Sequence, residues 1–340
     1  MLVKLLRFLL FGGPNPCADR ILSDEEWAAL ASEAKREGVT ALTYDAILQL
    51  TKEQRPTRRI LFQFTSRTQT IETDNTCLDN ALHDLAELVY GEIGLKLTVV
   101  KGFSLARLYP NPLHRERGDN DLYTGVDTER VCEIVERMGI EVDRLNPRHA
   151  AFKYKGSVFE CHRNLLYHND DPKWELMSQQ INNSTAQQLN NSTPITRLIP
   201  EQEAYFLAKH TDYHATFFNE PVRLRTLIDW HLLIDSPGFD YDRFRQIKRS
   251  SDVDIFADLM TAYSGLILGA YRVSPSLASG CDPEDFRLLF IDCPTWHPKA
   301  IVRVLRRSWH YLRYNRKFRA VYGCSMFRRF YLRNLLRAII

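Results

Sequence analysis

Cysteine is sparse in this 340-residue chain: there are seven, and no two form a C-x-x-C pair. That scarcity excludes a disulfide-framed secreted module and a Cys-rich zinc module, so the thiols read as reduced groups of a cytoplasmic protein. Long apolar runs are missing as well. No stretch approaches the ~20 uninterrupted apolar residues that a membrane-crossing helix needs. The apolar opening Met1–Phe11 is interrupted by Arg7 and followed by no small-x-small cleavage site, so it reads as an amphipathic first helix and not as a leader. Glycine and proline number only 15 each, which excludes collagenous and low-complexity chains, and 44% hydrophobic with 26% charged residues leaves a globular protein. Acidic residues are absent from 294–340, a segment that carries twelve Lys and Arg. The rest holds 33 basic and 42 acidic side chains, so the formal net charge of +3 is the sum of an acidic body and a basic tail.

What is present starts with helix signals. Ser23-Asp-Glu-Glu26 spells a capping box, Trp27, Leu30, Ala31 and Ala34 recur at helical spacing, and Gly38 supplies the stop. A second apolar pattern covers 41–50. Beyond Arg55-Pro56 a long helix is expected from about Arg58 to Tyr90, with Leu61, Phe64, Thr65, Leu82, Leu85 and Leu88 on its apolar stripe. The texture then changes. Leu97–Val100 is short and β-branched, Asn120–Tyr123 fits a second strand, and Thr128–Met138 a helix. Two strands around Lys155-Gly156-Ser157 fit a hairpin. Strands mixed with helices over 94–165 point to an α/β or α+β core. Residues 170–198 are rich in Asn, Gln, Ser and Thr without a hydrophobic period and read as a loop, the two Asn-Asn-Ser-Thr runs at Asn182 and Asn190 included. After Pro200 the pattern is helical again. The parts expected are thus a helical segment 1–90, a core 91–170, a polar loop 171–199 and a helical C-terminal domain 200–340.

The chemistry-bearing stretch is Val100-Lys-Gly-Phe-Ser104, then Gly118-Asp-Asn-Asp121, then Phe159-Glu-Cys-His162. Asp119 and Asp121 are two apart in a strand, so alternation sets both carboxylates on one face, where they can share a hard cation. Glu160 on a neighbouring strand would complete a site for such ions. Lys101-Gly102 lies at a strand end that enters a helix, where backbone amides can approach a phosphate. Cys161 faces away from Glu160 and His162 and reads as core.

In that order these motifs resemble the nucleotidyltransferase fold of polymerase-beta-like transferases. More closely, the chain is similar to an uncharacterised bacterial nucleotidyltransferase family found near surface-polysaccharide gene clusters, in its Bacteroidetes form. Leu5-Leu-Arg7, the Asp24–Trp27 helix and Gly38-Val39 resemble its helical lead-in. Lys101-Gly102, Leu108–Pro112, Arg115 and Gly118–Asp121 resemble its core motif, Glu160-Cys-His162 its Glu-x-His strand, and His210 with Leu224–Trp230 its C-terminal helical motif. The resemblance implies an α+β fold with a small mixed sheet flanked by helices. It also implies transfer of a nucleoside monophosphate from an NTP to an unknown acceptor, with Mg2+ or Mn2+ held by Asp119, Asp121 and Glu160. Glu160 would double as general base. Lys101 and Gly102 would contact the phosphates, and the helix bearing Arg225 and Asp229 would line the nucleotide cleft. The residue between the aspartates is usually apolar because it points into the core; here it is Asn120.

Several readings stay open at this stage. Ser104 either binds phosphate or caps its helix, and Arg115 and Arg117 either neutralise a triphosphate or are solvated loop charges. His162 is a site residue or a partner that holds Glu160. His210 and His214 have a zinc-compatible spacing but no third ligand in view. The basic residues 299–340 either touch an anionic membrane surface, which would place the protein at the inner membrane, or pack on the acidic body; nucleic acid is a less favoured partner. Toxin-like transfer to protein or tRNA, and a catalytically degenerate nucleotide-binding or membrane-surface scaffold, are the rival functions.

Overall fold

The computed structural model describes residues 1–146, 149–164, 187–188, 193–218, 220–249, 253–273, 275, 277, 281–293 and 300–326. Asn182 and Asn190, which open the two Asn-Asn-Ser-Thr runs, and the last part of the basic tail, 327–340, lie outside the described residues. The chain divides into two compact units, Met1–Glu203 and Ala204–Ile340.

The first unit opens with three helices: α1 (Leu2–Phe11), α2 (Asp24–Glu37) and α3 (Thr40–Leu48). The capping box at Ser23 forms in both directions, and Gly38 closes α2 in the left-handed conformation. Helix α4 (Arg58–Ile93) is the spine of the unit. Its buried positions include Ile60, Phe64, Thr68, Ile71, Asn75, Leu78, Leu82, Leu85 and Val89, a single stripe at steps of three or four. Leu61, Thr65 and Leu88 from the expected stripe are only half-buried beside it.

The sheet follows: β1 (Leu97–Val100), β2 (Asn120–Tyr123), β3 (Val142–Asp143), β4 (His149–Tyr154), β5 (Ser157–His162), β6 (Gln187–Gln188) and β7 (Ile195–Arg197). Its order is β3-β4-β5-β2-β1-β7-β6. Pairing is parallel for β1 with β7 and β2 with β5, and antiparallel elsewhere, so the fold is α+β with a mixed sheet. The β4–β5 hairpin turns on Lys155 and Gly156, both at positive φ, the geometry a two-residue turn needs to match strand twist. Strand β7 lies inside the stretch expected to be a polar loop. Three residues are too short for a periodic signal, and the strand forms because β1 offers it an edge, with Leu97 paired to Ile195.

Alternation divides the sheet's two faces. Leu97, Val99, Leu122, Phe152, Tyr154, Phe159, Cys161 and Ile195 pack with Leu82, Leu85 and Val89 of α4 and with Val131, Ile134 and Val135 of α6 (Thr128–Arg137). Asn120 belongs to this packed side and is 3% exposed. Its Nδ2 donates to the Leu78 carbonyl at 3.3 Å, while its Oδ1 has no partner among the described residues, so the amide in the usual apolar place is half satisfied. The opposite face carries the polar residues of the same strands.

Helix α7 (Pro200–Tyr213) leads into the second unit, which includes α8 (Leu224–Ile234), α9 (Tyr241–Lys248), α10 (Asp254–Leu268), α11 (Pro283–Phe286), α12 (Ala300–Arg313) and α13 (Asn315–Tyr322). Trp230, Phe256, Phe286, Phe290 and Phe318 are fully buried there. No helix among the described residues is long and apolar enough to cross a membrane.

Candidate active site

Register assembles the site. Antiparallel β1–β2 pairing sets Val100 opposite Asp121, and parallel β2–β5 pairing sets Asp121 opposite Glu160 and Tyr123 opposite His162. Antiparallel β4–β5 pairing adds His149 opposite His162. Period-two alternation then directs Asp121, Glu160, His162 and His149 to the face away from α4, with Lys101 immediately after β1. One carboxylate oxygen from each of Asp119, Asp121 and Glu160 lies within 4.8 Å of the other two.

The electrostatics differ sharply among the three. Asp121 is buried, which alone would raise its pKa. The Lys101 ammonium 2.6 Å away and His162 Nε2 at 2.9 Å more than offset burial, and hold its carboxyl well below the usual range. Asp119 goes the other way: desolvation first, then the like charge of Asp121, push its carboxyl up. Glu160 is lowered chiefly by His162, whose Nε2 stands 3.5 Å from Oε2. His162 is itself raised, since its two carboxylate partners outweigh its burial. It therefore stands between Asp121 and Glu160 as a partner to both carboxylates. Cys161 lies in the core, and burial pushes its thiol up, which excludes a thiolate nucleophile there.

The loop that delivers Asp119 is pinned to the helices behind it. His114 pairs through Nδ1 with Asp45 (2.6 Å) and through Nε2 with Glu72 (2.9 Å). Asn75 of α4 donates to the carbonyls of Leu113 and Arg115. The Thr40 amide donates to Glu116 at 2.6 Å. Arg117 lies over the Phe103 ring and makes a forked pair with Asp79, at 2.5 and 3.1 Å. Arg117 is thus an anchor to α4, where the sequence had offered a solvated charge or a phosphate ligand.

The turn after β1 leads from the strand into a short helix, and its backbone is unusual. The residue in the glycine-like conformation is Lys101, at φ 54° and ψ −116°, while Gly102 opens the short helix α5 (Gly102–Ala106) with no positive φ. A Cβ at Gly102 would meet Nη1 of Arg115 at 3.6 Å, so Arg115 lies beside this turn. Strain at a non-glycine residue of this kind costs about 1–3 kcal/mol and is retained where its side chain is needed. Of two variants that both lack the ammonium, Lys101→Gly is therefore expected to be more stable than Lys101→Ala by about 1 kcal/mol in urea unfolding. Equal stabilities would show that the turn relaxes.

Ser104 is fully buried, and its Oγ donates to Glu203 Oε2 at 2.8 Å, so its hydroxyl is turned inward. Glu203 is also fully buried and desolvation raises its pKa to about 7, against the opposing hydrogen bond from Ser104 and the charges of Arg107, Arg197 and Arg115. Its Oε1 has no hydrogen-bond partner among the described residues, and Arg107 Nη2 stands 4.0 Å from Oε2. Nothing in the local sequence singled out Glu203, Asn75 or His149. Only for His149 was there a usable signal, since antiparallel counting across the Lys155-Gly156 turn sets it opposite His162.

Arg225 and Asp229 lie on α8 in the second unit, with Asp229 buried. The rings of His210 and His214 lie 4.3 Å apart, tilted by 42°, and His214 Nδ1 pairs with Glu220 at 2.9 Å. They do not belong to any group of three metal-capable side chains among the described residues.

The donor set at Asp119, Asp121 and Glu160 is all oxygen and anionic, with the single Lys101 ammonium set against Asp121, which fits a hard divalent ion. In comparisons with known proteins, the family model described as an uncharacterised nucleotidyltransferase matches residues 23–269. No curated protein and no solved structure matches. The match covers most of the chain, which belongs to this family.

Proposed function

From membership in the uncharacterised nucleotidyltransferase family, we propose that the chain transfers a nucleoside monophosphate from an NTP to an acceptor and releases pyrophosphate. The observation that carries this reading is the convergence of Asp119, Asp121 and Glu160 on the face of the sheet away from α4. These carboxylates would hold Mg2+ or Mn2+, which when bound neutralises phosphate charge and lowers the pKa of a coordinated hydroxyl. Glu160, held below the usual carboxylate range and so ionised at neutral pH, takes the acceptor's proton. His162 orients Glu160 and Asp121 through its contacts to both. Lys101 and Arg115, which border Gly102, supply positive charge to the triphosphate. Ser104 positions this turn through Glu203 and does not contact phosphate directly.

The acceptor is read as a component of surface-polysaccharide assembly met at the membrane. Support comes from α12, where Leu305, Trp309 and Leu312 are exposed on a helix that also carries Arg306, Arg307 and Arg313. Calorimetry with ATP, CTP, GTP and UTP tests the reaction class. At least one is expected to bind about tenfold more tightly or better with Mg2+ present, and to lose that gain in Asp121→Asn. Failure of all four to bind, with or without Mg2+, would overturn the proposal.

A further inference from the structure

The site face holds a second group of donors, of which nucleotidyl transfer leaves His149 without a role. His149 of β4, Glu160 and His162 of β5 each offer one ligand atom within 4.8 Å of the others. His149 Nε2 is 3.6 Å from Glu160 Oε1, and His162 Nε2 is 3.5 Å from Glu160 Oε2. The imidazoles are register partners across the hairpin, with ring centroids 5.1 Å apart. Ligands bound at about 2.0–2.1 Å around a tetrahedral cation stand roughly 3.3 Å from one another, so three atoms already within 4.8 Å of one another have to close in by about 1.5 Å or less to hold one ion.

The chemistry of this set differs from that of its neighbour. Asp119, Asp121 and Glu160 present oxygen alone. His149, His162 and Glu160 present two imidazole nitrogens and one carboxylate, a combination that favours borderline ions such as Zn2+ or Co2+ over Mg2+. Three protein ligands leave a coordination position free, as in zinc sites that act on a substrate. The side chains of His149 and Glu160 are 18% and 25% exposed, so an ion can reach them from solvent.

We propose that His149, Glu160 and His162 form a nitrogen–oxygen metal site for a borderline divalent ion of the zinc class, adjoining the carboxylate pair and sharing Glu160 with it. Loading this site moves His162 Nε2 from Asp121 to the metal and leaves Asp121 paired to Lys101. Glu160 then belongs to both sites, so the identity of the nitrogen-bound ion sets the charge that Glu160 presents to the acceptor. The site itself needs only three side chains of the first unit and stands whether or not the chain transfers nucleotides.

The test is Co2+ alone added to the full chain, followed by its visible absorption and by displacement with Zn2+. One Co2+ is expected to bind with the absorption of an imidazole-containing site, to yield to equimolar Zn2+, and to resist a large excess of Mg2+. Asp119→Asn is expected to retain this binding, and His149→Ala to weaken it about 100-fold or more. Should His149→Ala not fold, His149→Gln, nearer in size, gives the same reading. Co2+ affinity unchanged by either His149 variant would overturn the proposal, as would its loss in Asp119→Asn, which would place the ion among the carboxylates. Absence of NTP binding would sink the transferase reading and leave this result untouched.

Discussion

Asp119→Asn and Asp121→Asn are expected to abolish nucleotidyl transfer alike and to shift stability in opposite directions. Each removes one of the carboxylates that face developing phosphate charge, and activity should fall about a thousandfold, or about 4 kcal/mol of transition-state stabilisation. Their contributions to folding have opposite signs. Asp121 titrates below its ordinary value in the folded protein because Lys101 and His162 outweigh its burial. Its ionised form therefore stabilises the native state at neutral pH, and that stabilisation is lost as pH falls through the folded pKa. Replacement by Asn leaves a buried ammonium beside a neutral amide and should cost about 3 kcal/mol. Asp119 titrates above its ordinary value through desolvation and the repulsion of Asp121. Its charge opposes folding once pH exceeds the folded pKa, so Asp119→Asn should melt at a higher temperature than the parent chain without added metal. Added Mg2+ should reverse that order, because only the parent keeps all three carboxylates. A loss of stability in Asp119→Asn at neutral pH, without metal, would contradict the assignment of strain to the carboxylate cluster.

A second large effect is expected from Glu203. Its pKa rises from 4.5 to about 7 on burial. For a carboxyl raised in this way the folded chain binds the proton more tightly than the unfolded one. Stability contributed by Glu203 is therefore full below pH ~4.5, declines as pH rises, and has been lost above pH ~7. At 1.36 kcal/mol for each tenfold change in proton affinity, the span is about 3 kcal/mol. The charged groups acting on it are Arg107, Arg115 and Arg197, and Ser104 donates to it. Glu203→Gln carries no titrating proton. Urea unfolding at pH 5 and pH 8 should show the parent losing about 3 kcal/mol more than the variant between the two conditions. Identical losses would mean that Glu203 keeps its ordinary affinity and that water reaches it.

The carboxylates were readable in the sequence because their geometry depends on local rules. Asp-x-Asp in a strand shares a face by alternation, and Glu160-Cys-His162 obeys the same rule one strand away. The turn at Lys155-Gly156 and the cap at Ser23 are equally local, since residues within four positions decide them. What stayed hidden is long-range. Ser104 and Glu203 are 99 positions apart, and Asn75 reaches Arg115 across 40. No pattern within either segment foretells such a meeting. Strand β7 was concealed for a related reason, since three residues take strand form only because β1 supplies the edge. The positive φ of Lys101 was not legible either, since it places the ammonium at the end of β1 against Asp121, a residue 20 positions on.

The central claim is that phosphate chemistry takes place at Asp119, Asp121 and Glu160. The measurement that tests it most directly uses NTPs labelled on either the α- or the γ-phosphate, incubated with the protein, Mg2+ and cell extract. Label from the α-phosphate is expected to appear on an acceptor, label from the γ-phosphate in pyrophosphate, and both are expected to vanish with Asp119→Asn. Transfer of γ-label to an acceptor, or α-label transfer that persists in Asp119→Asn, would contradict it.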